Sequence, residues 1–227
     1  MQRQTYANIE HLIVDGASTD STLEVVERLA KDSTRIISEK DNGIYDALNK
    51  GIGMATGEVI GFLHADDAFE SDTVLATIAG IMADSTVQAC YSDLVYVQED
   101  DDEKIVRNWQ SSPFENGLFI KGWMPPHPTF YTRKSVYAKF GVFDTNLKIG
   151  ADWDLLVRLL EIGKIETVYH PEVWVRMRLG GTSNRSFSNV LHNNVETWKQ
   201  CCRYFGFFPS LLFPPRKWLH RLKQFWV

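Results

Sequence analysis

The chain has 227 residues, 44% of them hydrophobic, which supports one well-cored domain with at most a small appendage and excludes a disordered or fibrous polymer. Its net charge of −5 is unevenly spread: six Lys and Arg and no acid follow residue 198, so an acidic body argues against nucleic-acid binding while the basic end suits an anionic surface. Cys90, Cys201 and Cys202 have no metal-ligand spacing, Met1 to Thr5 has no signal-peptide core, and no apolar run approaches the ~20 residues of a bilayer span, so a reduced, cytoplasmic setting is expected.

In chain order, His11 to Val14 reads as a buried strand ending at Asp15. A Gly-Ala-Ser-Thr-Asp turn follows, then a helix through Lys31, capped by Asp20 or Ser21, with Leu23, Val26, Leu29 and Ala30 facing inward. Arg35 to Ser38 is a second strand, Tyr45 to Ala55 a helix with small residues on one side, and Val59 to Leu63 a third strand. Asp72 to Ala83 is helical, Val87 to Tyr91 a strand, Glu99 to Glu103 an acidic hairpin tip, and Lys104 to Trp109 a strand. This alternation predicts an α/β fold with a doubly wound, mostly parallel sheet.

Residues 113–128 form a long loop rich in Gly, Pro and aromatics, of the kind that usually serves a site. Phe130 to Thr132 is a strand, Arg133 to Phe140 a helix, and a further helix opens at Gly150 and runs to Ile162 with Leu155, Leu156, Leu159 and Leu160 as its buried stripe. Strands at Ile165 to Tyr169 and Val173 to Leu179, a Gly180-Gly181 turn and a helix from Ser188 to about Tyr204 complete the body, set at residues 1–200. Residues 201–227 are a tail in which Trp218, Leu219, Leu222, Phe225 and Trp226 fall at helical spacing between basic residues. Such a helix lies in a membrane interface, or else packs on the protein's own core.

Asp66 and Asp67, just past the third strand, sit where ligands gather in an open α/β sheet and suit a divalent cation carrying a phosphorylated ligand; the plain alternative is a solvated turn. Asp15 ends the first strand, where a carboxylate accepts from a base or ribose, or serves only as a turn acid. Asp152 opens a helix beside Trp153, where partial burial makes a base; Asp154 fills a helix-start role equally well. His127, between two prolines, lines a pocket or is an ordinary loop histidine, and Arg176, Arg178 and Arg185 around the glycine turn pair with phosphate or are a solvated basic strand end.

Five stretches taken together, Val14 to Thr22 (VDGASTDST), Glu39 to Asp67 (EKDNGIYDALNKGIGMATGEVIGFLHADD), Phe140 to Asp144, Gly150 to Leu159 (GADWDLLVRL) and Arg178 to Asn184, resemble the family 2 inverting glycosyltransferases of GT-A fold, in particular bacterial members that build exopolysaccharide, colanic-acid-type polymer or lipopolysaccharide. The resemblance covers nearly the whole chain in order. It implies a Rossmann-like GT-A domain, a UDP- or GDP-sugar donor, Mg²⁺ or Mn²⁺, and a polyprenyl-linked or saccharide acceptor at the inner face of the cell membrane. In its terms Asp15, Asp41, His64 and Asp66 bind the donor, Asp67 with Asp66 holds the metal, and Asp152 is the base. His127, Arg178 and Arg185 are then candidate acceptor or phosphate contacts.

Two departures stand out: Ala151 replaces the acid that relatives often carry before the base, and His64 stands where they often have Asn. Relatives also begin with an apolar strand ahead of the Gln4-Thr5-Tyr6 match, a central strand of the nucleotide-binding half, and nothing here occupies that place. An exposed edge or gap is therefore expected beside His11 to Val14. The alternative function is a non-catalytic remnant of the fold that binds nucleotide, partner or membrane. A sugar nucleotidyltransferase fits less well, because its Gly-rich phosphate loop with a basic residue is missing.

Overall fold

The computed structural model describes residues 1–31, 33–179 and 187–225, with the backbone alone for 187–193 and 223. The chain folds as α/β with a curled sheet. Its first half contains β1 (Leu12–Asp15), α1 (Thr22–Leu29), β2 (Arg35–Ser38), α2 (Ile44–Met54), β3 (Val59–Ile60), β4 (Asp67–Phe69) and α3 (Val74–Met82). Next come β5 (Ala89–Gln98), β6 (Asp101–Trp109), β7 (Tyr131–Arg133), α4 (Lys134–Phe140), α5 (Ala151–Leu156) and β8 (Thr167–Arg178). Three helices end the chain: α6 (Phe187–Phe205), α7 (Phe207–Ser210) and α8 (Phe213–Lys223).

The longest ladder, β5 with β8, is parallel, as is β1 with β2. Around them the main sheet runs β3-β7-β5-β8-β4, with β6 paired to β5. Strand β5 outlasts its apolar run because its two polar residues are satisfied inside the core. Ser92 N–H donates to Thr129 Oγ1 at 3.2 Å, and Asp93 Oδ1 accepts from Ser111 N–H and Tyr169 O–H, both at 2.7 Å. The two strands expected between Ile165 and Leu179 are one: pairing jumps from His170 to Val173, so Pro171 and Glu172 pass as a bulge where proline has no N–H to offer.

Strand β3 is shorter than the expected Val59 to Leu63. It pairs with β7 only at Val59 and Ile60, and then Gly61 lies so close to Tyr131 that a Cβ there would stand 2.0 Å from the ring. Helix α1 likewise forms where expected, yet buries none of its residues, and Leu29 is 58% exposed. Both differences have one cause. Among the described residues β1–β2 is a two-stranded sheet of its own, unpaired with β3, so the expected gap beside His11 to Val14 is present.

A trough of about 940 Å³ separates the two sheets, walled by Leu12 and Val14 on one side and by Val59, Leu63, Ile78 and Met82 on the other. Its ends are tied by polar contacts. Glu10 Oε2 accepts from Thr56 N–H at 2.6 Å, Thr56 Oγ1 at 2.9 Å and Gly57 N–H at 3.2 Å, bonds that hold its carboxyl below the usual range. The N-terminal residues cross between the halves: Lys31 Nζ donates to Gln2 O at 3.1 Å, and Gln4 Oε1 accepts from Leu75 N–H at 2.9 Å.

Two apolar clusters flank the main sheet. One gathers α2, the α5 stripe and the tail through Leu155, Leu156, Leu159, Leu160, Trp153 and Phe213; the other packs α3 on Trp174, Val175 and Leu94. Helix α5 passes into a π-helical segment over Val157–Ile162, so the expected helix to Ile162 is continuous but widened. The tail packs on the protein's own core at one point and leaves a broad apolar face exposed. Phe213 is buried in the core, while Phe208, Leu212, Trp218 and Leu219 are more than half exposed.

Candidate active site

The acidic pair follows β3 after a turn in which Asp67 N–H donates to His64 O at 3.0 Å, and Asp67 then enters β4 opposite Met177. Asp66 is exposed, whereas Asp67 is half-buried and its Oδ2 is fully buried without a partner. Burial, helped by the charge of Asp66, pushes the Asp67 carboxyl up to about 7. An orphaned, desolvated carboxylate oxygen beside a second carboxylate fits a divalent cation, which needs only one or two carboxylates plus phosphate oxygens. Among the described residues no group of three or more His, Cys, Asp or Glu is clustered for a metal, so any cation here depends on ligand oxygens as well.

Asp152 lies in the first turn of α5, which starts at Gly150 with φ +82, a left-handed backbone that favours glycine. Tyr45 of α2 holds this turn. Its hydroxyl accepts from Gly150 N–H at 3.1 Å and donates to Asp152 Oδ1 at 3.4 Å, while its ring stacks on Phe143 at 5.6 Å. Burial and then the Asp152 charge raise the Tyr45 hydroxyl above its ordinary value, so it stays a donor. Asp154, the rival acid, is 2% exposed and committed elsewhere: it pairs with Arg158 Nε at 2.8 Å and accepts from Tyr204 O–H.

Two histidines face Asp152. His127 is buried with both ring nitrogens unpartnered, wedged between Phe62 and Phe143, and its ring lies 6.2 Å from that of His64. Burial lowers both below the usual histidine range against the opposing field of Asp152, so both are neutral near pH 7. A neutral imidazole in a carboxylate-bearing pocket is a hydrogen-bond partner for hydroxyl groups.

The structure thus brings His64, Asp66, Asp67, His127 and Asp152 together. Asp15 ends β1, next to Val14 of the trough lining, and Asp41 lies beside Gly16. Asp15 accepts from Ser18 Oγ at 2.5 Å, Ser38 Oγ at 2.6 Å and Ser18 N–H at 3.0 Å, bonds that hold its carboxyl below the usual range. Asp41 caps the next turn through Gly43 N–H at 2.9 Å and crowds Gly16, so these two acids shape one rim. Arg178 forks onto Asp102 of the acidic hairpin with both bonds at 2.9 Å, beside a small cavity that Asp66 and Asp67 also line. Arg185 lies outside the described residues.

Sequence reading missed Tyr45, although it sits inside the longest matched stretch. It also missed Thr197 and Gln200 of α6, which stand beside Gly150 at the start of the Asp152 turn, and Lys217 of α8, which bonds to Thr197. Buried Gln200 leaves both amide atoms unpartnered and stands 3.3 Å from where a Gly150 Cβ would be.

Comparison with known proteins identifies the family and the fold. The family described as Glycosyl transferase family 2 matches residues 1–144. A PGL/p-HBAD biosynthesis glycosyltransferase of Mycobacterium bovis (strain BCG / Pasteur 1173P2) is 33% identical over 191 residues, 80% of this chain and 70% of that protein. The chondroitin synthase of Pasteurella multocida (strain Pm70) is 28% identical over 166 residues, 72% of this chain and 17% of that one. Among solved structures, the mannosyltransferase PcManGT from Pyrobaculum calidifontis in complex with GDP-Man and Mn²⁺ superposes with a TM-score of 0.61 at 20% identity, over 95% of this chain and 61% of that one. S. aureus TarS 1-349 in complex with UDP gives a TM-score of 0.60 at 17% identity, over 93% and 67%. At such identities these structures speak for the fold, and the sequence relatives speak for the family. The chain belongs to glycosyl transferase family 2 and is a glycosyltransferase of GT-A fold.

Proposed function

We propose that the chain moves a sugar from a UDP- or GDP-sugar to a hydroxyl of a polyprenyl-linked or saccharide acceptor, inverting the anomeric centre. The observation that carries this is the half-buried Asp152 carboxylate, aimed by Tyr45 and held apart from the ion pair that occupies Asp154. Relatives named for PGL/p-HBAD biosynthesis and for chondroitin synthesis support a glycolipid or polysaccharide product.

Asp152 takes the proton of the acceptor hydroxyl while that oxygen bonds to the anomeric carbon. The bond from this carbon to the diphosphate oxygen breaks on the opposite face, and the electron pair leaves with the nucleoside diphosphate. Attack from the far side inverts the centre. His64 and His127, neutral and desolvated, line the space where sugar and acceptor hydroxyls meet. Asp67 with Asp66 would hold Mg²⁺ or Mn²⁺, whose bound charge offsets that of the leaving diphosphate. Asp15 and Asp41 take the nucleoside, and Arg178 and Arg185 meet the acceptor or the phosphates.

The exposed aromatic and aliphatic residues of α7 and α8, with the basic residues of a tail that has no acid, suit the interface of an anionic bilayer. On this reading the enzyme works at the cytoplasmic face of the membrane, beside a lipid-linked acceptor. No helix among the described residues is long and apolar enough to cross a membrane. The trough favours a second reading, a nucleotide-binding module without turnover, because among the described residues no strand pairs between β1 and β3.

Calorimetry with UDP and GDP, with and without Mn²⁺, followed by NMR of the product from the matching donor sugar, tests both readings. Metal-dependent binding and a product of opposite anomeric configuration are expected. Retention of configuration would overturn the mechanism, and binding without turnover would favour the second reading.

A further inference from the structure

On the edge away from β8, strand β5 is paired in two stretches, with β7 at Ala89 and Cys90 and with β6 from Leu94 onward. Ser92 falls between them. Its backbone meets a side chain there instead of a strand: Ser92 N–H donates to Thr129 Oγ1 at 3.2 Å, and Thr129 Oγ1 donates to Ser92 O at 2.9 Å. The same hydroxyl also lies 2.9 Å from Pro126 O, so one fully buried oxygen ties three backbone groups together.

What these bonds hold is the turn of His127. The 3-10 segment His127–Thr129 is a single turn, closed by Thr129 N–H to Pro126 O and Phe130 N–H to His127 O, both at 3.0 Å. A turn this short has too few bonds to keep itself in place. The prolines on either side of His127 restrict its backbone, and the Thr129 hydroxyl anchors it to β5. The other end of the long loop is fixed to the same strand, where Asp93 Oδ1 accepts from Ser111 N–H at 2.7 Å and Tyr91 O–H donates to Ser112 O at 2.8 Å.

The imidazole held in this way is 8% exposed, with both nitrogens unpartnered. Buried polar atoms without partners are rare in native proteins and mark a place that an ordered water or a ligand completes. The surroundings of the ring join it to the base. Phe143 meets it edge-on at 5.5 Å and stacks on Tyr45 at 5.6 Å, and the Tyr45 hydroxyl donates to Asp152 Oδ1 at 3.4 Å. Asn49 of α2 fixes Phe143 by its backbone, accepting from its N–H at 3.0 Å and donating to its C=O at 2.9 Å.

We propose that Thr129 is a positioning residue for His127: its hydroxyl, shared between Ser92 and Pro126, fixes the turn that presents the His127 imidazole to a sugar hydroxyl beside Asp152. This rests on the reading of His127 as a contact for substrate hydroxyls. It makes the loop over residues 113–128 a wall built before substrate arrives, with its imidazole already set, and it brings Ser92 into the site through backbone alone.

The test compares the full chain with Thr129→Val, which keeps the shape and loses the hydroxyl, Thr129→Ser, which keeps the hydroxyl, His127→Ala, and the pair Thr129→Val with His127→Ala. Turnover is read as UDP release from UDP-GlcNAc or GDP release from GDP-Man, with Mn²⁺ present. Thr129→Val is expected to lower kcat about 10-fold with KM for the donor unchanged, and Thr129→Ser to stay within about 2-fold of the parent. In the His127→Ala background Thr129→Val should have no further effect on kcat, because the two residues act as one unit. An equal loss in both backgrounds, or no loss in either, overturns the proposal. Histidine side-chain NMR of the parent needs neither turnover nor a folded variant: His127 should show one set of imidazole signals before any donor is added, and averaging between ring orientations would overturn the proposal. If instead His127→Ala keeps full activity while Thr129→Val broadens the His127 signals, the substrate-contact reading has failed and the positioning stands.

Discussion

At the scale of single residues, Asp67 and Asp154 sit in opposite environments. Asp67 has a buried oxygen with no partner and a carboxyl pushed up to about 7. Because this acid holds its proton more tightly in the folded state, the metal-free protein loses stability as pH rises from about 4 to about 7. Asp67→Asn should therefore be more stable than the parent at pH 8, by about 1–2 kcal/mol after allowance for solvent screening, and no more stable at pH 4, as read from urea unfolding. Asp154 is the opposite case. Asp154→Ala strips Arg158 and Tyr204 of their partner and should cost about 3–5 kcal/mol, whereas Asp152→Asn should leave unfolding nearly unchanged. Equal losses from both would mean that Asp152 is also structural. The two acids are two positions apart in one helix turn and carry the same side chain, so only the tertiary partners separate them. Resemblance pointed to Asp152; Tyr45 stayed hidden because its hydroxyl acts across 107 positions of chain.

At the scale of elements, strands and helices were legible wherever the local pattern had a partner to meet. The α5 stripe of Leu155, Leu156, Leu159 and Leu160 is buried as its spacing demands. Strand β3 and helix α1 depart from expectation because each needs a neighbour that only a paired strand between β1 and β3 supplies. The Ser92-Asp93 pair in β5 misled in the other direction, since the groups that satisfy it lie at Thr129, Ser111 and Tyr169. The same contrast orders local stability. Among the described residues, strands β1 and β2 pair only with each other and are mostly half-buried, while β5 is buried almost throughout and paired on both edges. Native-state hydrogen exchange should show the amides of Leu12–Asp15 exchanging at least about 100-fold faster than those of Ala89–Gln98. Equal protection would mean that the trough is closed in solution.

At the scale of the whole molecule, the residues proposed for the site lie in two regions: Asp15 and Asp41 beside the β1–β2 sheet, and Asp66, Asp67, His127 and Asp152 about the main sheet, where the tail packs on Trp153. Their order along the chain made the family readable, while the contribution of the tail was not, since amphipathic spacing in α8 says nothing about which face turns inward. The account stands on Asp152 removing the acceptor proton. Its most direct test is the rate of UDP or GDP release from the matching sugar donor with Mn²⁺ and acceptor present, in the parent chain and in Asp152→Asn. The account predicts a loss of at least about 100-fold with donor binding retained; release at the parent rate in Asp152→Asn would contradict it.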